Sequence, residues 1–198
     1  MADWIIGVIE GYGYWGLVGL MVLENIFPPI PSELIMPFAG FEAARGELSL
    51  MGVLLAGTLG SLLGTLPWYT AGRMLTSARL KEWANGNGRW LAVSADDIDR
   101  AEQWFQRRGT RAVLFGRMVP TVRTLISVPA GLVAMPLPRF LFWSALGSLV
   151  WVGVLTAIGY LLQEQYDRVH DWLNPVATAV VVVIVGVYLY RVATFERR

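Results

Sequence analysis

Three stretches of this chain, residues 48–72, 140–162 and 172–190, run 25, 23 and 19 residues without one charged side chain. A helix crosses the hydrocarbon core of a bilayer in roughly 17–25 apolar residues. Inside lipid each backbone polar group must be satisfied by protein, so only helices and closed barrels span. Runs this long therefore predict an all-α, polytopic helical membrane protein. A fourth run, 4–23, is interrupted by Glu10. It either spans or lays its first half in the interface, and spanning is favoured because the residues after Glu10 are too few to cross alone.

Composition agrees with the runs. Of 198 residues, 55% are hydrophobic and 16% charged, with a mean hydropathy of +0.50. Soluble domains carry about 25% charged residues. A chain this apolar cannot stay solvated as a disordered coil. A net charge of +1 offers no polyanion footprint, which argues against a nucleic-acid partner. The absence of cysteine excludes disulfides, zinc–thiolate sites and iron–sulfur clusters. The single histidine, His170, sits in the polar loop QEQYDRVHDW. No hydrophobic segment carries a metal-ligand cluster, so neither metal nor cofactor is expected. The opening MADWIIG has no basic n-region and reads as mature chain.

Two further apolar segments are broken by proline. Residues 25–41 carry Pro28, Pro29, Pro31 and Pro37, and residues 112–138 carry Pro120, Pro129, Pro136 and Pro138. Proline removes a helix hydrogen bond and clashes with the preceding turn. Each segment is expected to form two short arms meeting at a turn, a re-entrant hairpin. Pro28, Pro31, Pro37, Pro120, Pro129 and Gly131 are the expected turn residues. Non-helical backbone at membrane depth survives only when buried in protein or lining a wet cavity.

The broken segments resemble each other. Pro28 and Pro37 are nine apart, as are Pro120 and Pro129, and Ala-Gly follows each pair at 39–40 and 130–131. Each is followed by a span containing Leu-Gly-Ser-Leu, at 59–62 and 146–149, with a further glycine at Gly72 and Gly159. Because a single crossing separates the hairpins, the two repeats are inverted in the membrane, an arrangement that recurs in transporters. The chain divides into an N-terminal helix (1–24), a first repeat (25–72), a polar amphipathic helical segment (73–111), a second repeat (112–163) and a C-terminal span (172–191). In the polar segment, Ser94 and the acids after it start a helix, and Gly109 after Arg107-Arg108 ends it.

Arginine and lysine set the orientation. Twelve lie on the side of the 73–111 segment and two, Arg45 and Arg168, on the other. The positive-inside rule places the twelve, and with them the C-terminus, in the cytoplasm. The N-terminus joins them if residues 4–23 span.

Four charges sit inside apolar sequence: Glu24, Glu33, Arg117 and Arg123. Each costs about 2.5–3.5 kcal/mol at the centre of a spanning helix. One hairpin is acidic and the other basic, so meeting tips would oppose two carboxylates to two guanidiniums. Buried pairs are poor stabilisers, and small-residue faces such as Ala56-xxx-Gly60 already let helices approach. The charges therefore point to function. An arginine fork matches phosphate oxygens, and a nearby carboxylate can take up a proton and change partner. Glu24 and Glu33 are the proton-coupling candidates.

These motifs resemble the DedA family of VTT-domain proteins over residues 20–165: Leu23-Glu24-Asn25 and Pro31-Ser32-Glu33 in the first hairpin, Phe115-Gly116-Arg117, Pro120-Thr121-Val122-Arg123 and Pro129-Ala130-Gly131 in the second, with Trp104-Phe105 and Phe140, Gly147 and Trp151 beyond. The resemblance implies lipid translocation in a bacterial inner membrane, most specifically of undecaprenyl phosphate, with Arg117 and Arg123 on the phosphate and Glu24 and Glu33 balancing them. Many members carry Asp where this chain has Glu33. The implied partner is an anionic lipid, polyprenyl phosphate or phospholipid. A homo-oligomer stays open. The competing readings are a proton-coupled transporter of a small ion or drug and a phospholipid scramblase of broad specificity. An enzyme is not expected, because histidine-based lipid phosphatases and intramembrane serine proteases need histidines that the spans lack.

Overall fold

The computed structural model describes residues 2–27, 32–75, 95–120 and 122–162. Within them the secondary structure is helical: α1 (Ala2–Ile26), α2 (Ser32–Ala44), α3 (Leu50–Met74), α4 (Ala95–Arg108), α5 (Thr110–Arg117), α6 (Ser127–Leu132) and α7 (Leu137–Leu161). By length and composition three helices could cross a membrane: Trp4–Ile26 within α1, Leu50–Met74 and Leu137–Leu161. The last two match the uncharged runs at 48–72 and 140–162. The run at 172–190 lies outside the described residues. Helix α4 ends just before Gly109, as its stop signal requires.

Local chemistry sets the ends of the long helices. The Ser49 hydroxyl accepts the Gly52 N–H at 3.0 Å and caps α3. Pro138 stands in the first turn of α7, where no N–H is needed. Leu55, Leu59 and Leu63 of α3 and Phe142, Leu146 and Val154 of α7 are exposed. Rows of large exposed apolar side chains are what a lipid-facing helix surface requires.

Helix α1 is not one straight rod. Gly13 adopts φ 54° and ψ −130°, a conformation that glycine alone reaches without strain. The chain folds sharply there, so that a Cβ on Gly16 would strike the Val8 carbonyl. Eight residues of straight helix would hold those positions about 12 Å apart. The first half of α1 sends Ile5 and Ile9 into a core shared with Leu34, Phe38 and Ala43 of α2. Gly109 joins α4 to α5 with nearly the same backbone, φ 53° and ψ −131°.

The second half of α1 runs parallel to α3. Tyr14 meets Ser49 and Gly52, Val18 and Met21 meet Gly60, and Val22 and Asn25 meet Gly64. Helices α3 and α7 are antiparallel, with Gly57 against Val152 and Ser61 against Ser148. Helix α2 crosses α7 where Gly40 touches the Thr156 backbone and Gly159 touches Pro37. Helix α6 crosses α3 where Gly131 touches the Tyr69 backbone and Gly72 touches Val128. A second core gathers Tyr69, Phe105, Val113, Ile126, Ala130 and Phe140.

The expected turn residues divide. Pro28 and Pro31 lie outside the described residues, and Pro120 lies in a turn. Pro37, Pro129 and Gly131 are helical instead. Pro129 occupies the first turn of α6, where a missing N–H costs nothing. Gly131 is needed for close approach to α3, not for a turn. The α1 half after Gly13 and all of α2 flank the proline-rich connection.

Candidate functional site

The polar residues of the two proline-broken segments meet beside the middle of α3 and α7. Glu24 and Asn25 come from the end of α1, Ser32 from the start of α2, Arg117 from the end of α5 and Arg123 from the connection to α6. All five are buried.

Arg123 is the paired cation. Its guanidinium forms an ion pair with the Glu24 carboxylate, and the two side chains are 6% and 4% exposed. The same Nη2 donates to Ser32 Oγ at 2.8 Å. Trp151 of α7 completes the setting: its Nε1 donates to Ser32 Oγ at 3.4 Å, and its ring centroid lies 5.8 Å from the Arg123 guanidinium carbon. Charge, hydroxyl and ring face together hold this guanidinium in one orientation.

Arg117 is different. It is 1% exposed. Its Nη1 donates to Asn25 Oδ1 at 3.3 Å and its Nη2 to Ser127 Oγ at 3.4 Å, both long contacts to neutral groups. Its Nε has no partner among the described residues. No carboxylate there lies within ion-pair distance of it. A buried cation without a counter-ion is a costly arrangement that an anion relieves.

Asn25 connects the two arginines. Its amide nitrogen donates to Glu24 Oε2 at 2.8 Å and to the Met21 carbonyl at 2.9 Å. Its backbone carbonyl accepts Trp68 Nε1 at 2.9 Å. A longer contact, 3.5 Å, reaches Ser61, whose hydroxyl lies 3.1 Å from that of Ser148.

Glu33 does not join the buried cluster. It is exposed in the first turn of α2, where a carboxylate faces the positive end of the helix dipole. Among the described residues its Oε2 accepts only the Ser32 hydroxyl, at 3.4 Å. The expected meeting of two carboxylates with two guanidiniums is thus one ion pair and one cation held by amide and hydroxyl oxygens. The physical reason is helical phase: Ser32 and Leu34 point inward, so Glu33 points out.

Asn25, Ser32 and Trp151, motif residues with no role expected from the sequence, contact the two arginines, and the Leu-Gly-Ser-Leu serines lie beside them. The signal was available in Ser61 and Ser148, polar residues at matched positions of otherwise apolar spans. Among the described residues no group of three or more His, Cys, Asp or Glu is placed to hold a metal ion.

Comparison with known proteins gives a family. The VTT domain model matches residues 30–161. A Lactococcus lactis protein named alkaline phosphatase-like protein is 39% identical over all of this chain and 93% of its own length. Undecaprenyl phosphate transporter A of Staphylococcus aureus is 31% identical, covering 92% of this chain and 90% of the transporter. Inner membrane protein YqjA of Escherichia coli is 31% identical over 77% of this chain and 68% of its own length. No solved structure matches the chain.

Proposed function

The chain belongs to the DedA family of VTT-domain membrane proteins, and from that premise we propose that it carries an anionic lipid, undecaprenyl phosphate first among candidates, between the leaflets of a bacterial inner membrane. The observation that carries this reading is Arg117. A fully buried guanidinium, whose Nε has no partner among the described residues and which makes two long bonds to neutral oxygens, suits a phosphate whose oxygens match its fork. Arg123 is the second phosphate ligand, released as Glu24 gives it up. Protonation of Glu24 weakens the Glu24–Arg123 pair and couples the site to a proton. Glu33, outside the cluster, is the exposed proton-coupling candidate, its Oε2 accepting the Ser32 hydroxyl. The isoprenoid tail stays in lipid while the head crosses.

Two inverted re-entrant hairpins provide the path. One is the Gly13–Ile26 half of α1 with α2, and the other is α5 with α6. Matched contacts support the inversion. Gly60 packs on Val18 and Met21 as Gly147 packs on Leu114 and Arg117, Gly40 meets Thr156 as Gly131 meets Tyr69, and Gly159 meets Pro37 as Gly72 meets Val128. Because α3 and α7 are antiparallel, the hairpins enter from opposite sides. The first half of α1 then lies on the side of the turn between α2 and α3, opposite the arginine-rich stretch. The positive-inside count keeps that stretch and the C-terminus cytoplasmic.

Proteoliposomes holding the full chain and a fluorescent polyprenyl phosphate test the reading, with headgroup accessibility to an outside quencher as the signal. Wild type exchanges the lipid between leaflets and Arg117→Gln does not. Equal rates for the two would overturn the site. Release of inorganic phosphate from the lipid would overturn the carrier reading in favour of hydrolysis. Proton flux driven by a soluble solute, in vesicles lacking polyprenyl phosphate, would favour a solute transporter.

A further inference from the structure

The amide of Asn25 stands between the two buried arginines, and its orientation is fixed. Its Nδ2 donates to Glu24 Oε2 at 2.8 Å and to the Met21 carbonyl at 2.9 Å. Both partners only accept: a carbonyl has no proton, and a carboxylate paired with Arg123 has none either. Turned the other way, the amide would set oxygen against oxygen twice, and its nitrogen against a guanidinium donor. Oδ1 therefore faces Arg117, whose Nη1 donates to it at 3.3 Å.

The rest of the residue is held as firmly. Asn25 is 0% exposed. Its backbone carbonyl lies in the last turn of α1, where carbonyls have no partner inside the helix, and Trp68 Nε1 supplies one at 2.9 Å. Helices α1 and α3 touch here, because a Cβ on Gly64 would lie 2.5 Å from the Cβ of Asn25. Of the hydrogen-bond partners of Asn25, which also include the Ser61 hydroxyl at 3.5 Å, only Glu24 and Arg117 carry charge.

What the amide withholds matters as much as what it gives. The buried cluster contains two guanidiniums, Arg117 and Arg123, and one carboxylate, Glu24. Glu24 gives one oxygen to Arg123 and the other to Asn25. An amide oxygen orients a guanidinium without neutralising it, whereas an aspartate of the same shape would neutralise it. With Asn25 in place the cluster keeps one positive charge in excess among the described residues, and that charge is on Arg117. A neutral acceptor also holds an N–H less tightly than an oxyanion does, so a phosphate oxygen can take its place.

We propose that Asn25 is a specificity-determining residue of the lipid-phosphate site: it aims Arg117 and, being an amide and not a carboxylate, keeps that guanidinium without a counter-ion until an anion arrives. The assignment rests on the reading of the site as a phosphate carrier. It adds that selection for an anion is set by one uncharged residue at the end of α1, outside the four charges of the two proline-broken segments.

The test measures binding of farnesyl phosphate, a short polyprenyl monophosphate, to the full chain in phosphatidylcholine nanodiscs by titration calorimetry, with thermal unfolding midpoints alongside. Asn25→Asp keeps the acceptor and adds a charge. Asn25→Leu removes the acceptor and adds none. Wild type binds the probe, and Asn25→Asp binds it roughly tenfold or more weakly, the value of a charge-assisted bond. Asn25→Leu binds within a few-fold of wild type while its midpoint falls, because Glu24 and Arg117 lose their shared partner. A residue needed only for structure would reverse that order. Asn25→Asp sets two carboxylates side by side, so the substitution is repeated without that repulsion by comparing Glu24→Gln with Glu24→Gln/Asn25→Asp, and the same loss is expected. Equal binding within a pair, or a greater loss with Asn25→Leu than with Asn25→Asp, overturns the proposal. Binding that Arg117→Gln loses and Asn25→Asp keeps overturns this proposal alone. Absence of binding by wild type overturns the carrier reading and this proposal with it.

Discussion

The hydroxyls of Ser61 and Ser148, 87 residues apart in the chain, lie 3.1 Å apart in the buried contact between α3 and α7. Each is the serine of a Leu-Gly-Ser-Leu motif. The two motifs thus touch each other across antiparallel helices. The chain has no cysteine, so Ser61→Cys with Ser148→Cys supplies its only thiols. Mild oxidation is expected to link them within one chain, since their separation approaches disulfide geometry. Peptide mass mapping reads the link. Failure to form it in the folded protein would reject the pairing of these helices.

The two arginines should respond oppositely to removal. Arg123→Ala leaves Glu24 buried without its cation, and breaking a buried pair costs about 3–5 kcal/mol. Arg117→Met removes a buried cation that has no carboxylate partner among the described residues, so stability is expected to be unchanged or higher. Thermal unfolding in nanodiscs measures both. Arg117→Met should nonetheless abolish lipid exchange, which separates its role from a structural one.

Two glycines of α7 provide a packing test. A Cβ on Gly159 would strike the backbone of Pro37, whereas Gly153 has nothing within 4 Å. Gly159→Ala forces α2 away from α7 and is expected to cost about 1–3 kcal/mol. Gly153→Ala should be neutral or stabilising by about 0.5–1 kcal/mol, because alanine restricts the unfolded chain and favours helix. Unfolding midpoints of the two variants decide the matter, and equal losses would contradict the crossing.

Glu42 carries a pH dependence. Its folded-state carboxyl is raised from the ordinary 4.5 by burial. The folded state therefore holds the proton more strongly than the unfolded chain does. Stability is full below the unfolded value and falls as pH rises through the raised one. Glu42→Gln, which cannot ionise, is expected to exceed wild type in stability at neutral pH in choline lipid. The difference should vanish in acid. Unfolding curves across that range measure it, and a difference that grows in acid would show the opposite sign.

Length and polarity made much of this legible. Uncharged runs of bilayer length have one economical backbone solution, a helix, and α3 and α7 follow from that alone. The matched prolines, Leu-Gly-Ser-Leu motifs and embedded charges were legible because identity and spacing survive in one dimension, and three of those charges, Glu24, Arg117 and Arg123, are buried in the structure. The Gly13 break was not readable. Glycine is common in apolar helices, and nothing local tells a straight position from one at φ 54°.

Pairing was decided only in three dimensions. Sequence placed Glu24, Glu33, Arg117 and Arg123 in apolar surroundings and treated them as four of a kind. Packing sent Glu33 outward, joined Glu24 to Arg123 across 99 residues and left Arg117 to Asn25 and Ser127. Helical phase decides which neighbour of a motif faces inward, and close glycine contacts between helices decide which motifs meet. The chain fixes that these charges must be shielded from lipid. Only the packed fold decides which of them is ion-paired and which rests on neutral oxygens.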